Sequence, residues 1–165
     1  MAEGLPYTIA VLCYLFDEQG QVLLLHRNKA PNRDMYSPIG GKLKRQTGES
    51  PADCALREIK EEADLQLTYS NLHLCGVVSE TGFEQAGHWL MFLYEVKIPV
   101  KVKSRRIAEG YLEWHRLESV GELAIPKTDK QVIWPLFRRF RGRFFAVHID
   151  CRADEFSWRL DEPPS

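Results

Sequence analysis

The sequence lacks the marks of several protein classes. Its 4 cysteines (Cys13, Cys54, Cys75, Cys151) contain no C-x-x-C pair, which argues against a zinc site or a disulfide framework and for free thiols in a reducing cytoplasm. There is no basic excess, since 22 Lys and Arg face 23 Asp and Glu for a net charge of -1. A nucleic-acid backbone would need more positive charge than that. The local cluster Arg138, Arg139, Arg141 and Arg143 reads as a solvated face. No apolar run is long enough to span a bilayer, and MAEGLPYTIAVLCYLFDEQG carries no basic leader. Repeats, low-complexity blocks and linkers are also missing. The expectation is one domain over residues 1–165, in the cytoplasm, with neither a nucleic-acid nor a membrane partner.

What is present alternates between strand and helix signals. YTIAVLCYLF from Tyr7 and VLLLHR from Val22 flank DEQGQ, which predicts a β-hairpin. NKAPNRDMYSPIGG then reads as a polar loop, with Pro31, Pro38 and two glycines. A helix opens at Ser50 (N-cap), Pro51 and Asp53, and stops near Ala63–Asp64, where Asp takes the left-handed position usually given to Gly. Its apolar stripe is Ala52, Ala55, Leu56, Ile59 and Ala63, and Glu58, Glu61 and Glu62 are expected on the other side. Strand-like runs follow at LHLCGVVSE, HWLMFLYEVKI and GYLEWHRL. KTDKQVIWPLFRRF reads as a second helix and GRFFAVHIDCRADEFSWRL as a closing hairpin, with a frayed tail at 161–165.

Like charges three and four residues apart weaken a helix, so Glu58, Glu61 and Glu62 call for a partner. Three carboxylates make a hard oxygen site suited to Mg²⁺ or Mn²⁺. Such a site takes up a diphosphate by bridging it with cations, polarises a phosphoryl oxygen and orients a water. Glycines before the helix let backbone approach a ligand, and Arg57 is spaced to pair with Glu61.

GGKLKRQTGESPADCALREIKEEADL, residues 40–65, resembles the Nudix box. That pattern is Gly, five residues, Glu, seven residues, then Arg-Glu-apolar-x-Glu-Glu-x-Gly-apolar. Glu49, Arg57, Glu58, Ile59, Glu61, Glu62 and Leu65 match it in type and spacing. There are two departures. The Gly41–Glu49 interval is longer by two residues, expected to bulge from the loop, and Asp64 replaces Gly.

The resemblance implies an α/β fold, an α/β/α sandwich around a mixed β-sheet, and Mg²⁺-dependent hydrolysis of a nucleoside diphosphate linked to a group X. Carried over by residue, Glu58, Glu61 and Glu62 bind metal with the Gly41 carbonyl, Glu49 and Arg57 support them, and Glu58 activates the water, with Glu61 and Glu62 as alternatives.

Outside the box the chain resembles the MutT-like and mammalian-type oxidised purine nucleoside triphosphatases, which act on substrates such as 8-oxo-dGTP. On that likeness Glu109 approaches the metals, and Asp129 either reads the purine or caps a helix. Ser37 stands where those enzymes carry a base-reading Asn, and a hydroxyl cannot make the same two-point contact. Arg27 and Lys42 are candidates for phosphates. Trp89, Trp114 and Trp134 read as core packing, with base stacking as the alternative. The implied partner is a small nucleotide, and the protein a monomer or homodimer. ADP-ribose or another nucleotide-linked diphosphate is the runner-up substrate. The competing class is a catalytically silent nucleotide sensor.

Overall fold

A computed structural model describes residues 4–162. Its strands are β1 (Tyr7–Tyr14), β2 (Gln21–Arg27), β3 (Tyr36–Lys42), β4 (Leu72–Phe83), β5 (Gly87–Val96), β6 (Arg106–Ile107), β7 (Gly110–Arg116), β8 (Phe145–Asp150) and β9 (Ser157–Glu162). They form one sheet in the order β6-β7-β2-β3-β1-β5-β4-β8-β9. The β1–β5 and β4–β8 pairs are parallel and the remaining pairs antiparallel, so the sheet is mixed.

Helix α1 (Pro51–Ala63) packs on one face. A π-helical segment, Asp129–Ile133, running into α2 (Trp134–Arg139), packs on the other. This is the expected sandwich. Burial on both faces explains why β1 reads as a nearly continuous apolar run. Val11 and Cys13 meet Cys54, Ala55 and Ile59 of α1, while Tyr14 stacks on Phe137 of α2 at 4.2 Å. Among the described residues no helix is long and apolar enough to cross a membrane.

The expected β1–β2 hairpin survives only at its tip, where Leu23 N–H donates to the Leu15 carbonyl at 2.9 Å. Beyond the tip, β3 lies between the two strands and pairs with both. The segment YSPIGGK is therefore strand rather than loop, against the propensity of its Pro and Gly residues. Two of those glycines are needed there. Gly40 has φ 157°, and a side chain on it would strike the Val11 carbonyl. At Gly41 a Cβ would collide with the Glu58 carboxylate.

Helix α1 begins and ends as the sequence predicts. Ser50 Oγ accepts from Asp53 N–H at 3.1 Å, and Asp64 sits at φ 56°, ψ 40°. The stripe differs in its members, since Cys54 is fully buried, Leu56 is only half-buried and an acid joins the row. Glu62, seven residues after Ala55 and three after Ile59, lies within the buried row and is only 4% exposed. Glu58, Glu61 and Glu62 thus run from core to solvent rather than sharing one wet face. At the other end of the chain, Asp161 and Glu162 complete β9, so the expected tail is shorter, and 163–165 lie outside the described residues.

The longer loop folds on itself. Arg45–Thr47 make one 3₁₀ turn, closed by Gly48 in the left-handed region, and Glu49 N–H donates to the Lys44 carbonyl at 3.2 Å. Because Lys44 and Glu49 already meet at its base, deleting Arg45 and Gln46 is expected to leave turnover within about tenfold, or about 1.4 kcal/mol on the barrier. Steady-state kinetics of the deletion variant checks this.

Candidate active site

Arg57 organises the acids of α1. Its Nε and Nη2 donate to the two oxygens of Glu49 at 2.7 and 2.8 Å, and Nη1 donates to Glu58 Oε1 at 2.9 Å. Nη1 also reaches Glu61 Oε2 at 3.3 Å, and Nη2 the Lys42 carbonyl at 3.2 Å. A planar guanidinium suits this because its donors are fixed in a fork. The bidentate bond is the main reason the Glu49 carboxyl is held down at about 2. Glu49 therefore contributes stability above its ordinary pKa of 4.5, lost as the pH falls toward about 2.

Arg57→Ala leaves Glu49 and Glu58 unpaired in a half-buried setting. It is expected to cost about 2 kcal/mol of stability, and Arg57→Lys to recover only part. Urea unfolding of the two variants measures this.

Glu58 and Glu62 press against the glycines of β3. Glu62 Oε2 accepts from Gly40 N–H at 3.2 Å, and Glu58 occupies the space a side chain on Gly41 would need. Arg105 Nη2 donates to the Glu62 carbonyl at 3.1 Å. Burial raises the Glu58 carboxyl in spite of Arg57. Burial first, then the charge of Glu58, pushes Glu62 up to about 8, and Glu109, from the β6–β7 turn, adds to both. Glu61 is more open, its side chain 54% exposed.

The other flank of Gly40 and Gly41 faces an open-mouthed cleft of about 160 Å³. Arg27, Ser37, Lys42, Trp89 and Asp129 line it, so the candidate substrate contacts are gathered in one place. Lys42 Nζ stands 5.7 Å from the centre of the Trp89 ring, and Arg27 Nε donates to the Pro31 carbonyl at 2.8 Å. No side-chain bond from Thr128 caps the helix at Asp129, and the Asp129 carboxyl opens on the cleft. It is half-buried at the surface of that cleft yet deep among protein atoms, and burial pushes it up to about 7. Trp134 is in the core, and Trp114 Nε1 donates to the Val102 carbonyl at 2.7 Å away from the cleft. Of the three tryptophans, Trp89 faces the cleft.

The sequence reading missed Glu80. It lines the same cleft and is 4% exposed. Its signal was the alternation along β4, where Gly76, Val78 and Glu80 share the buried register.

Residues 6–140 match the family profile of the NUDIX domain. An uncharacterized Nudix hydrolase of Bacillus subtilis is 28% identical over 116 residues, 68% of this chain and 69% of its own. The crystal structure of the MutT protein of Bacillus halodurans is 28% identical, covers 94% of this chain and 99% of its own, and superposes with a TM-score of 0.73. The NUDIX domain of Shewanella oneidensis NrtR, complexed with ADP ribose, shares the fold at 18% identity, covering 84% of this chain and 89% of its own with a TM-score of 0.65. The chain belongs to the Nudix family, and it is a hydrolase acting on pyrophosphate bonds.

Nudix hydrolases generally use divalent cations, and the donor set here suits one. The charges of Glu61 and Glu109 raise the proton affinity of Glu58, and those of Glu58 and Glu109 that of Glu62, a sign of negative charge that Arg57 only partly balances. A hard dication relieves such crowding as a proton does. Among the described residues no three donors are already closed into a coordination cage, because Glu58 and Glu61 turn to Arg57 and Glu62 to Gly40. The fit is one of charge and donor chemistry.

Proposed function

We propose that the enzyme hydrolyses a nucleoside triphosphate to the monophosphate and pyrophosphate with Mg²⁺, Mn²⁺ serving as a substitute. The observation that carries this is the junction at Gly40–Gly41, with buried carboxylates on one flank and a ring-sized, partly apolar cleft on the other. A triphosphate laid across the junction places its anhydrides by the acids and its base in the cleft.

Glu58, Glu61, Glu62, Glu109 and the Gly41 carbonyl would hold the cation. When bound, it supplies charge neutralisation for the phosphates and acidifies a water. The chain's own part is to bind, orient and move a proton. Arg57 fixes Glu58 through Oε1, and Glu58 takes the proton of the attacking water. Arg27 and Lys42 pair with phosphate oxygens at the cleft mouth. Trp89, Phe83 and Met91 offer apolar surface to the base, with Asp129 and Ser37 at its edge. An oxidised purine such as 8-oxo-dGTP is within this substrate class.

The test is a panel of ATP, GTP, CTP, UTP, 8-oxo-dGTP and ADP-ribose with Mg²⁺, scored for kcat/KM. A triphosphate is expected to lead by at least about tenfold, or about 1.4 kcal/mol in transition-state binding. A lead by ADP-ribose would move the assignment to the nucleotide-linked diphosphates. Binding without turnover of any member would make the domain a sensor.

A further inference from the structure

The acids beside Gly40 and Gly41 come from two separate elements. Glu58 and Glu62 stand on α1, and Glu109 stands on the turn between β6 and β7. Glu109 is near enough that its charge acts, after burial and nearer groups, on both helix carboxyls. β6 is only 2 residues long and lies at the edge of the sheet, where Arg106 pairs with Tyr111 and Ile107 with Gly110. A ribbon so short needs other contacts to hold its turn in place. One comes from the end of β2, where Asn28 N–H donates to the Glu109 carbonyl at 3.0 Å. Another crosses to the helix. Arg105, half-buried, donates through Nη2 to the Glu62 carbonyl at 3.1 Å. The root of that side chain is tied to β7. Leu112 N–H donates to the Arg105 carbonyl at 2.9 Å, and Trp114 Nε1 to the Val102 carbonyl at 2.7 Å.

The Glu62 carbonyl lies in the last turn of α1, where the helix supplies no donor of its own. A guanidinium suits it, being a cation with several donors at the negative end of a helix. Among the described residues no carboxylate pairs with Arg105, and Asp64, at the helix end, is taken by Lys60 at 2.9 Å. Arg105 therefore joins the two elements without neutralising their acids in an ion pair.

We propose that Arg105 is a positioning residue that locks the β6–β7 turn to the end of α1, so that Glu109 and Glu62 converge on one cation. The inference rests on the metal reading above and deepens it. Three roles for this arginine differ in sign. If it only balances charge, its removal deepens the negative field and tightens cation binding. If it only caps the helix, its removal lowers stability and leaves the affinity unchanged. If it positions Glu109, its removal weakens cation binding.

Mn²⁺ binding to the nucleotide-free protein, followed by electron paramagnetic resonance of the free ion, separates these roles without turnover. Arg105→Ala is expected to weaken Mn²⁺ binding by about tenfold, as the loss of a group that orients a ligand does. Glu109→Gln should weaken it by a similar factor. Adding Arg105→Ala to Glu109→Gln should then change it by less than about twofold, because Arg105 acts through Glu109. Arg105→Lys, which keeps the charge but not the fork of donors, should recover only part of the loss. Tighter or unchanged binding in folded Arg105→Ala overturns the proposal, as does an undiminished effect in the Glu109→Gln background. Should Arg105→Ala not fold, Arg105→Lys decides, and an affinity equal to wild type overturns it. A wild-type protein that binds no Mn²⁺ would bring down the metal site and this inference together. Cation binding that depends on Arg105, without hydrolysis of any nucleotide, would sustain the inference while the proposed reaction fell.

Discussion

Glu58→Gln is expected to lower turnover by about a thousandfold, or about 4 kcal/mol on the barrier, with the fold intact. Glu58 is held by Arg57 through Oε1 at 2.9 Å, and its side chain is 12% exposed. Among the described residues Oε2 has no hydrogen-bond partner, so that oxygen is left for a water. Burial raises its carboxyl from the ordinary value, which moves it toward the neutral range where a general base works best. The amide keeps the shape and can still accept from Arg57, but it neither takes a proton nor offers a charged ligand to a cation. Glu61→Gln, altering a more open side chain, should cost less. Single-turnover kinetics of both variants at matched metal concentration separates the roles. A Glu58→Gln rate within about tenfold of wild type would pass the base to Glu61 or Glu62.

The second large effect concerns stability. Glu80→Gln is expected to stabilise the protein at pH 9 by an amount on the order of 3 kcal/mol, and to change it little near pH 5. The sign follows from the buried carboxyl. Its folded pKa of about 8 lies above the ordinary 4.5, so the protonated form is the one the fold favours. That contribution is complete below about pH 4.5 and is lost as pH rises through about 8. An uncharged amide has no such loss. Asp129, raised to about 7, stays in the variant, and Cys151, the other ionisable group sensitive to Glu80, is pushed up to about 11. The comparison is therefore the difference between wild type and variant at each pH, by urea unfolding. Parallel pH profiles would place Glu80 in contact with water rather than in a closed cleft.

Local signals were legible and pairing was not. Ser50, Pro51 and Asp64 mark the ends of α1 because caps act within a few residues. Helical spacing paired Arg57 with Glu61, whereas its shortest bonds go to Glu49, which lies before the helix and outside any spacing rule. The insertion of β3 between β1 and β2 was hidden, since strand order depends on contacts distant in sequence and YSPIGGK has poor strand propensity. Burial of Glu62 was readable from its spacing to Ala55 and Ile59, but charge argued the other way. Glu80 was overlooked for the same reason, as a glutamate in an inward register looks like the end of a strand. Charged residues on buried registers are where propensity and function part company. The gathering of Arg27, Ser37, Lys42 and Asp129 about one cleft required the folded sheet.

The most direct test of the reaction is phosphorus NMR of GTP incubated with the wild-type enzyme, with Mg²⁺ and again with the cation chelated. The expected spectrum with Mg²⁺ shows GMP and pyrophosphate in equal amounts, with the conversion absent under chelation and in Glu58→Gln. Formation of GDP and inorganic phosphate, or turnover that persists without a divalent cation, would contradict the account.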